Sequence, residues 1–143
     1  MACEVSVFLE NKITHLEGIT NVLKSENINI RCLTLNNIMH GWGVLNLLVD
    51  QPEKAYRVLV EKGNSAFLRE VIVLEMKDEA GSLDELLIKL SKIGLHIENA
   101  YTRLVSETKT ALLILDVPDV IEAGRRLHQY GIKILDDDSV YRR

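Results

Sequence analysis

Val71-Ile72-Val73-Leu74-Glu75-Met76-Lys77-Asp78 decides the fold, because it restates Val5-Ser6-Val7-Phe8-Leu9-Glu10-Asn11 from the start of the chain. Each stretch is an apolar strand that ends in a polar turn. After the first copy, Leu16, Ile19 and Leu23 mark one face of a helix, and Ile28-Asn29-Ile30 opens another strand. After the second, Leu83, Leu86 and Leu90 mark a helix face, followed by Leu95-His96-Ile97. Asn11 aligns with Asp78 and Asn29 with His96 at one offset (78 − 11 = 67 and 96 − 29 = 67). A register kept through a turn, a helix and a strand indicates duplication of one folding unit.

Working outward, Val5, Val7 and Leu9 alternate with Ser6 and Glu10 as a strand does, and Thr14-His15-Leu16-Glu17 offers a capping box for a helix running to about Glu26. Ile28 to Cys32 reads as a second strand. Gly41 and Gly43 mark the turn into a third, Val44 to Val49. Asp50 is placed to cap a helix with Pro52 near its first position, and Gly63 supplies the exit after Ala55, Val58 and Leu59. Phe67 to Glu70 closes the unit as a fourth strand. The next strand, Val71 to Met76, follows with no Gly/Ser-rich linker. Ser82-Leu83-Asp84-Glu85 is again a capping box, Asp116-Val117-Pro118-Asp119 repeats the helix start at Asp50, and Gly131 precedes a final strand at Ile132 to Leu135. The spacing changes slightly, to 66 between Asp50 and Asp116 and 68 between Gly63 and Gly131, at turns or helix ends where length changes cost least.

The expected class is α+β, with two tandem ferredoxin-like βαββαβ units at 1–70 and 71–143. Right-handed crossovers put both helices of a unit on one face of a four-stranded antiparallel sheet. The other face should be polar, yet Leu45, Leu47 and Val49 oppose Val44 and Leu48, and Ala111-Leu112-Leu113-Ile114-Leu115 is apolar on both sides. Such a face marks an association surface. A second copy of the chain is its simplest cover, which implies a homodimer. The alternative is that the two units cover each other.

Composition narrows the function. A net charge of −4 and a pI near 5.6, with scattered basic residues, argue against a nucleic-acid partner. No apolar run reaches the length of a membrane span, and Met1-Ala2-Cys3-Glu4 lacks a secretory pattern, so a cytoplasmic protein is expected. Cys3 and Cys32 read as free thiols, and His15, His40, His96 and His128 are too scattered for a zinc site. Asp136-Asp137-Asp138 reads as a solvated end more readily than as a cation site. No nucleophile-base-acid set and no Gly-rich phosphate loop is present, so neither an enzyme nor a cofactor is expected.

The positions aligned by the repeat are the turn before each unit's first helix and the polar residue opening its second strand. These are expected to lie close together. Free amides at a helix N-terminus suit a carboxylate, and a side-chain oxygen of Asn11 or Asp78 can accept from an ammonium, so a free amino acid matches both. The alternative is that Asn11 and Asp78 merely form turns while Asn29 and His96 bond locally.

At these residues the chain resembles the ACT-domain family, small regulatory modules that bind amino acids and related metabolites. The family pattern is roughly Asn-x-Pro-Gly-x-Leu at the turn and Gly-x-Asn-Ile at the second strand. The first unit supplies Asn11-Lys12-Ile13-Thr14-His15-Leu16 and Asn27-Ile28-Asn29-Ile30; the second supplies Asp78-Glu79-Ala80-Gly81-Ser82-Leu83 and Gly94-Leu95-His96-Ile97. Both units lack the proline. The first has Thr14 in place of the turn glycine, and the second has Asp78 and His96 in place of the asparagines.

The resemblance implies a tandem ACT protein whose ligand, an amino acid, sits at an interface between ACT units. The ligand-binding candidates are Asn11, Lys12, Ile13, Thr14, His15, Leu16, Asn29, Ile30, Asp78, Ala80, Gly81, Ser82, Leu83, His96 and Ile97. Two other readings stand beside it. One is a ligand-free regulatory subunit of a metabolic enzyme. The other is an RNA-binding module of similar topology, since Val7-Phe8-Leu9-Glu10-Asn11 resembles the first-strand motif of such modules and Gly41-Trp42-Gly43-Val44 the third-strand one, although Val44 and Leu47 occupy aromatic positions and Trp42 stands alone.

Overall fold

The computed structural model describes residues 1–141, which divide into two compact units. One is Cys3–Arg69; the other combines Met1–Ala2 with Glu70–Tyr141.

The first unit runs β1 (Cys3–Glu10), α1 (Ile13–Ser25), β2 (Ile30–Met39), β3 (Trp42–Val49), α2 (Pro52–Glu61) and β4 (Ser65–Glu70), in a four-stranded sheet of order β2-β3-β1-β4. The antiparallel register pairs Val5 with Leu47 and Val7 with Leu45, and cross-strand partners share a face. That face meets Ile19 and Leu23 of α1 and Ala55, Val58 and Leu59 of α2 in one core. The helical residues recur three and four positions apart, the spacing that lines one side of a helix. Gly63, at φ +88°, ends α2 as its position suggested.

On the opposite face Ser6 donates to Asn46 at 2.8 Å, and Phe8 stacks on Trp42 with centroids 5.1 Å apart. Trp42 therefore does not stand alone, a correction to the reading from sequence. β1 and β3 are neighbours, and only their pairing brings the two rings together.

The second unit runs β5 (Ile72–Lys77), α3 (Ser82–Ile93), β6 (Asn99–Val105), β7 (Thr110–Asp116), α4 (Val120–Gln129) and a short α5 (Asp137–Tyr141). Its antiparallel sheet has three strands, ordered β5-β7-β6. Ile72, Leu74, Leu113 and Leu115 pack on Leu90 and Ile93 of α3 and on Ala123 and Leu127 of α4. Leu83, read as a core position, is exposed instead.

The expected fourth strand at Ile132 to Leu135 contributes one bond, Leu135 N–H to the Val73 carbonyl at 2.9 Å. Asp136 explains why it goes no further. Its Oδ1 accepts from Ser139 N–H at 2.9 Å, which starts α5 and turns the chain. The acidic run is exposed, as a solvated end is, but it is ordered: Asp136 begins a helix, and Asp137 pairs with the Met1 ammonium at 3.2 Å. Arg103 donates to the Val140 carbonyl at 3.5 Å and shares a sheet face with Leu112. α5, with Val140 and Tyr141 buried, therefore lies against the face away from α3 and α4.

Candidate functional site

Each unit offers two ends, and the strand register separates them. Asn11 follows Glu10, which faces Trp42 at the start of β3, whereas Asn29 exchanges bonds with Asp50 just beyond its other end. Likewise Asp78 follows Lys77, opposite Thr110, while His96 lies before β6, whose Asn99 faces Asp116. β1 has eight residues and spans roughly 25 Å at about 3.3 Å per residue. The turn and the strand opening of one unit therefore do not meet, contrary to expectation, because the intervening helix carries the chain back to the other end of the sheet.

The first turn is tied down. Asn11 N–H donates to the Gly41 carbonyl at 2.7 Å, and its side-chain amide donates to Asn37 Oδ1 at 2.7 Å. Gly43 makes this possible: a Cβ there would overlap Asn11 Oδ1 and lie 2.6 Å from the Asn36 carbonyl oxygen. Lys12 is the N-cap of α1, with no side-chain cap bond. Thr14 falls inside the helix, so the expected capping box does not form. His15 Nδ1 instead accepts from Glu10 N–H at 3.2 Å, and Leu16 is partly buried against the core. Ile13 is 81% exposed. The hydrogen bond from the Lys12 ammonium, 2.9 Å from Glu10 Oε2, holds that carboxyl below its ordinary value.

The second turn is open. Asp78 N–H donates to the Lys109 carbonyl at 3.0 Å, as Asn11 does to Gly41, but the Asp78 carboxylate makes no bond among the described residues. Ala80 leads into Gly81, the N-cap of α3 at φ +89°, where an added Cβ would meet nothing within 4 Å. Ser82 begins the helix without capping it, because Gly81 already holds the cap position in a left-handed conformation.

At the other end, the corner of the first unit is formed by the last turns of α1, the loop to β2 and the end of β3. Asn27 ends the helix at φ 54°, a left-handed conformation that asparagine tolerates. Asp50, expected to cap α2, instead accepts from Asn29 N–H at 3.0 Å, while its own N–H donates to the Asn29 carbonyl at 3.1 Å. α2 consequently starts at Pro52 with no side-chain cap. Gln51 Nε2 donates to the Asn27 carbonyl at 3.3 Å, and Lys54 Nζ to the Glu26 carbonyl at 2.9 Å. This corner holds a cavity of about 510 Å³, bordered by Lys24, Asn27, Asn29, Ile30 and Asp50.

The matching corner of the second unit holds only about 170 Å³, bordered by Leu95, His96, Pro118, Glu122 and Arg126. Arg126 closes it by donating from Nε to Glu122 at 2.9 Å and from Nη1 to the Gly94 carbonyl at 3.3 Å. Hydrogen bonds from Arg125 and Arg126 pull the Glu122 carboxyl down to about 2. Asp119 caps α4 by accepting from Glu122 N–H at 3.0 Å, so Pro118 stands outside the helix, unlike Pro52. His96 and Ile97 lie in the loop before β6, which starts at Asn99.

Lys24, Asp50, Glu122 and Arg126, which border these corners, are not among the candidate residues that the sequence singles out. The recurring Asp50 and Asp116 were a signal, taken there for helix starts; nothing local pointed to Lys24 or Arg126.

With two consecutive helix-and-antiparallel-sheet units established, the comparisons agree with the fold. The sequence matches the ACT domain pair family over residues 1–127, and the chain belongs to that family. It is similar in structure to protein BT0572 from Bacteroides thetaiotaomicron, with 27% identity, a TM-score of 0.87, and 99% of this chain and 96% of that one covered. The ligand-free regulatory subunit of aspartate kinase from Thermus thermophilus shares the fold at 16% identity and TM-score 0.61, covering 90% of this chain and 92% of that one. The regulatory subunit from Thermus flavus does so at 15% identity and TM-score 0.60, with the same shares covered. No curated protein matches the chain in sequence. No helix among the described residues is long and apolar enough to cross a membrane.

Proposed function

We propose that this tandem ACT protein is a non-catalytic regulatory module of the cytoplasm that binds a free amino acid and transmits its occupancy to a metabolic enzyme. The family match over both units carries this reading. The four ends support it, since they present backbone turns, amides and carboxylates suited to a small zwitterion rather than a reactive constellation. The candidate residues divide into two turns, 11–16 and Asp78 with 80–83, and two segments leading into the second strands, 29–30 and 96–97. Because one unit holds its turn and its strand opening far apart, a ligand touching both kinds of end requires a neighbouring ACT unit, for which a second copy of the chain in a homodimer is the proposed source.

Binding to the folded state raises stability by about 2.7 kcal/mol when ligand is at roughly 100 times its dissociation constant. A thermal-melt screen of the full chain against each common L-amino acid should therefore give a clear upward shift for one or a few. Silence across the whole set would leave the second reading, a ligand-free interaction subunit. One observation favours that alternative: the Asn11 amide is already bonded to Asn37.

A further inference from the structure

The cavity at the first unit's corner has opposite charges on its rim. Lys24, in the last turn of α1, and Asp50, after β3, both border it. We propose that this corner reads both charges of a free α-amino acid, the Lys24 ammonium taking the ligand's carboxylate and the Asp50 carboxylate taking its ammonium. The assignment rests on the amino-acid reading above and names the residues that would carry it.

Three features support it. First, Asp50 is held in place: one carboxylate oxygen accepts from Asn29 N–H at 3.0 Å, and a carboxylate has acceptor sites left for a second donor. Second, Lys24 is exposed and forms no ion pair among the described residues, whereas Lys54 is engaged with Glu26, so Lys24 is available to an anion. Third, the loop between them is set before any ligand arrives, by Gln51 on the Asn27 carbonyl and Lys54 on the Glu26 carbonyl. A preset site avoids the ordering cost of binding. At about 510 Å³ the cavity falls in the usual range for small molecules, roughly 300–1,000 Å³.

The second unit lacks the combination. Ser91 stands where the repeat places Lys24 (24 + 67 = 91), and its hydroxyl donates to the Ile88 carbonyl at 2.6 Å. Arg126 is the cation at that corner, but it is bonded to Glu122 and to the end of α3. The geometry therefore assigns one zwitterion-reading corner per chain.

The test uses the full chain and the amino acid that gives the largest melting shift in the screen, titrated calorimetrically into wild type, Lys24→Met, Lys24→Arg, Asp50→Asn and Ser91→Ala. Hydrogen bonds to charged groups have values that predict a loss of about tenfold or more for Lys24→Met and for Asp50→Asn, recovery in Lys24→Arg, and no change in Ser91→Ala. Asn at position 50 keeps an oxygen for the Asn29 N–H, and Lys24 is exposed, so both variants should keep wild-type melting without ligand. A second readout is selectivity. Wild type should reject the matching amine that lacks the carboxylate, and Lys24→Met should bind that amine about as well as the amino acid. Undiminished binding in Lys24→Met and Asp50→Asn would overturn the assignment while leaving the amino-acid reading intact. If no common amino acid binds wild type, both fall together.

Discussion

The two units share one architecture but differ in which end they leave available. In the first, the turn is fastened by Asn11 on Asn37, and the corner stays open between Lys24 and Asp50. In the second, the turn at Gly81 is bare, while Arg126 and Glu122 shut the corner down to about 170 Å³. Duplication conserves what the core requires, namely apolar residues at fixed positions on helices and strands. The ends are solvent-facing and cost little to alter, so they diverge first. A repeat in sequence is therefore strong evidence for two folds of one kind and weak evidence for two equal sites.

The contrast between the turns is the easiest to break. Gly43→Ala should destabilise the chain by about 3 kcal/mol, because the new Cβ collides with the Asn36 backbone as well as the Asn11 side chain. Urea unfolding checks this, and a variant as stable as wild type would mean the first turn is not locked. At the second turn, Gly81→Ala meets open space but keeps a positive φ of +89°, and the smaller expected cost is about 1–2 kcal/mol. Reversal of that order would reverse the assignment of locked and open turns.

The corners give the smaller effects. Asp119→Ala removes the cap from α4 and should cost about 1 kcal/mol in the same unfolding assay. Asp50→Ala does not uncap α2, so its effect should appear as faster hydrogen exchange at Asn29 N–H rather than in α2. The subtlest contrast is electrostatic. The Glu122 carboxyl titrates lower in the folded chain than unfolded, so its contribution is fully present above the ordinary value of 4.5 and is lost as pH falls toward about 2. Carboxyl NMR should place the Glu122 midpoint well below the ordinary 4.5; a midpoint near the ordinary value would show that Arg125 and Arg126 do not hold it.

Much of the fold was legible because its causes are local. The alternation of Val5, Val7 and Leu9, the spacing of Ile19 and Leu23, and Gly63 after α2 each act within a few residues. The capping residues were misread because a side chain able to cap can be claimed by a distant partner: Asp50 goes to Asn29, and Thr14 is inside its helix. The missing eighth strand has a similar origin, since Asp136 begins α5 where a strand would have continued.

The sequence by itself determined the duplication, the order of elements up to α4 and most of the residues that form each core, Leu83 excepted, since these follow from periodicity, which is written into neighbouring residues. Only the tertiary structure decided which ends are tied and which are free. Asn11 meets Asn37 across 26 residues, Asp50 meets Asn29 across 21, and Arg126 meets Gly94 across 32. Hydrogen bonds of that reach depend on where folding brings each donor and acceptor, and linear spacing does not encode that.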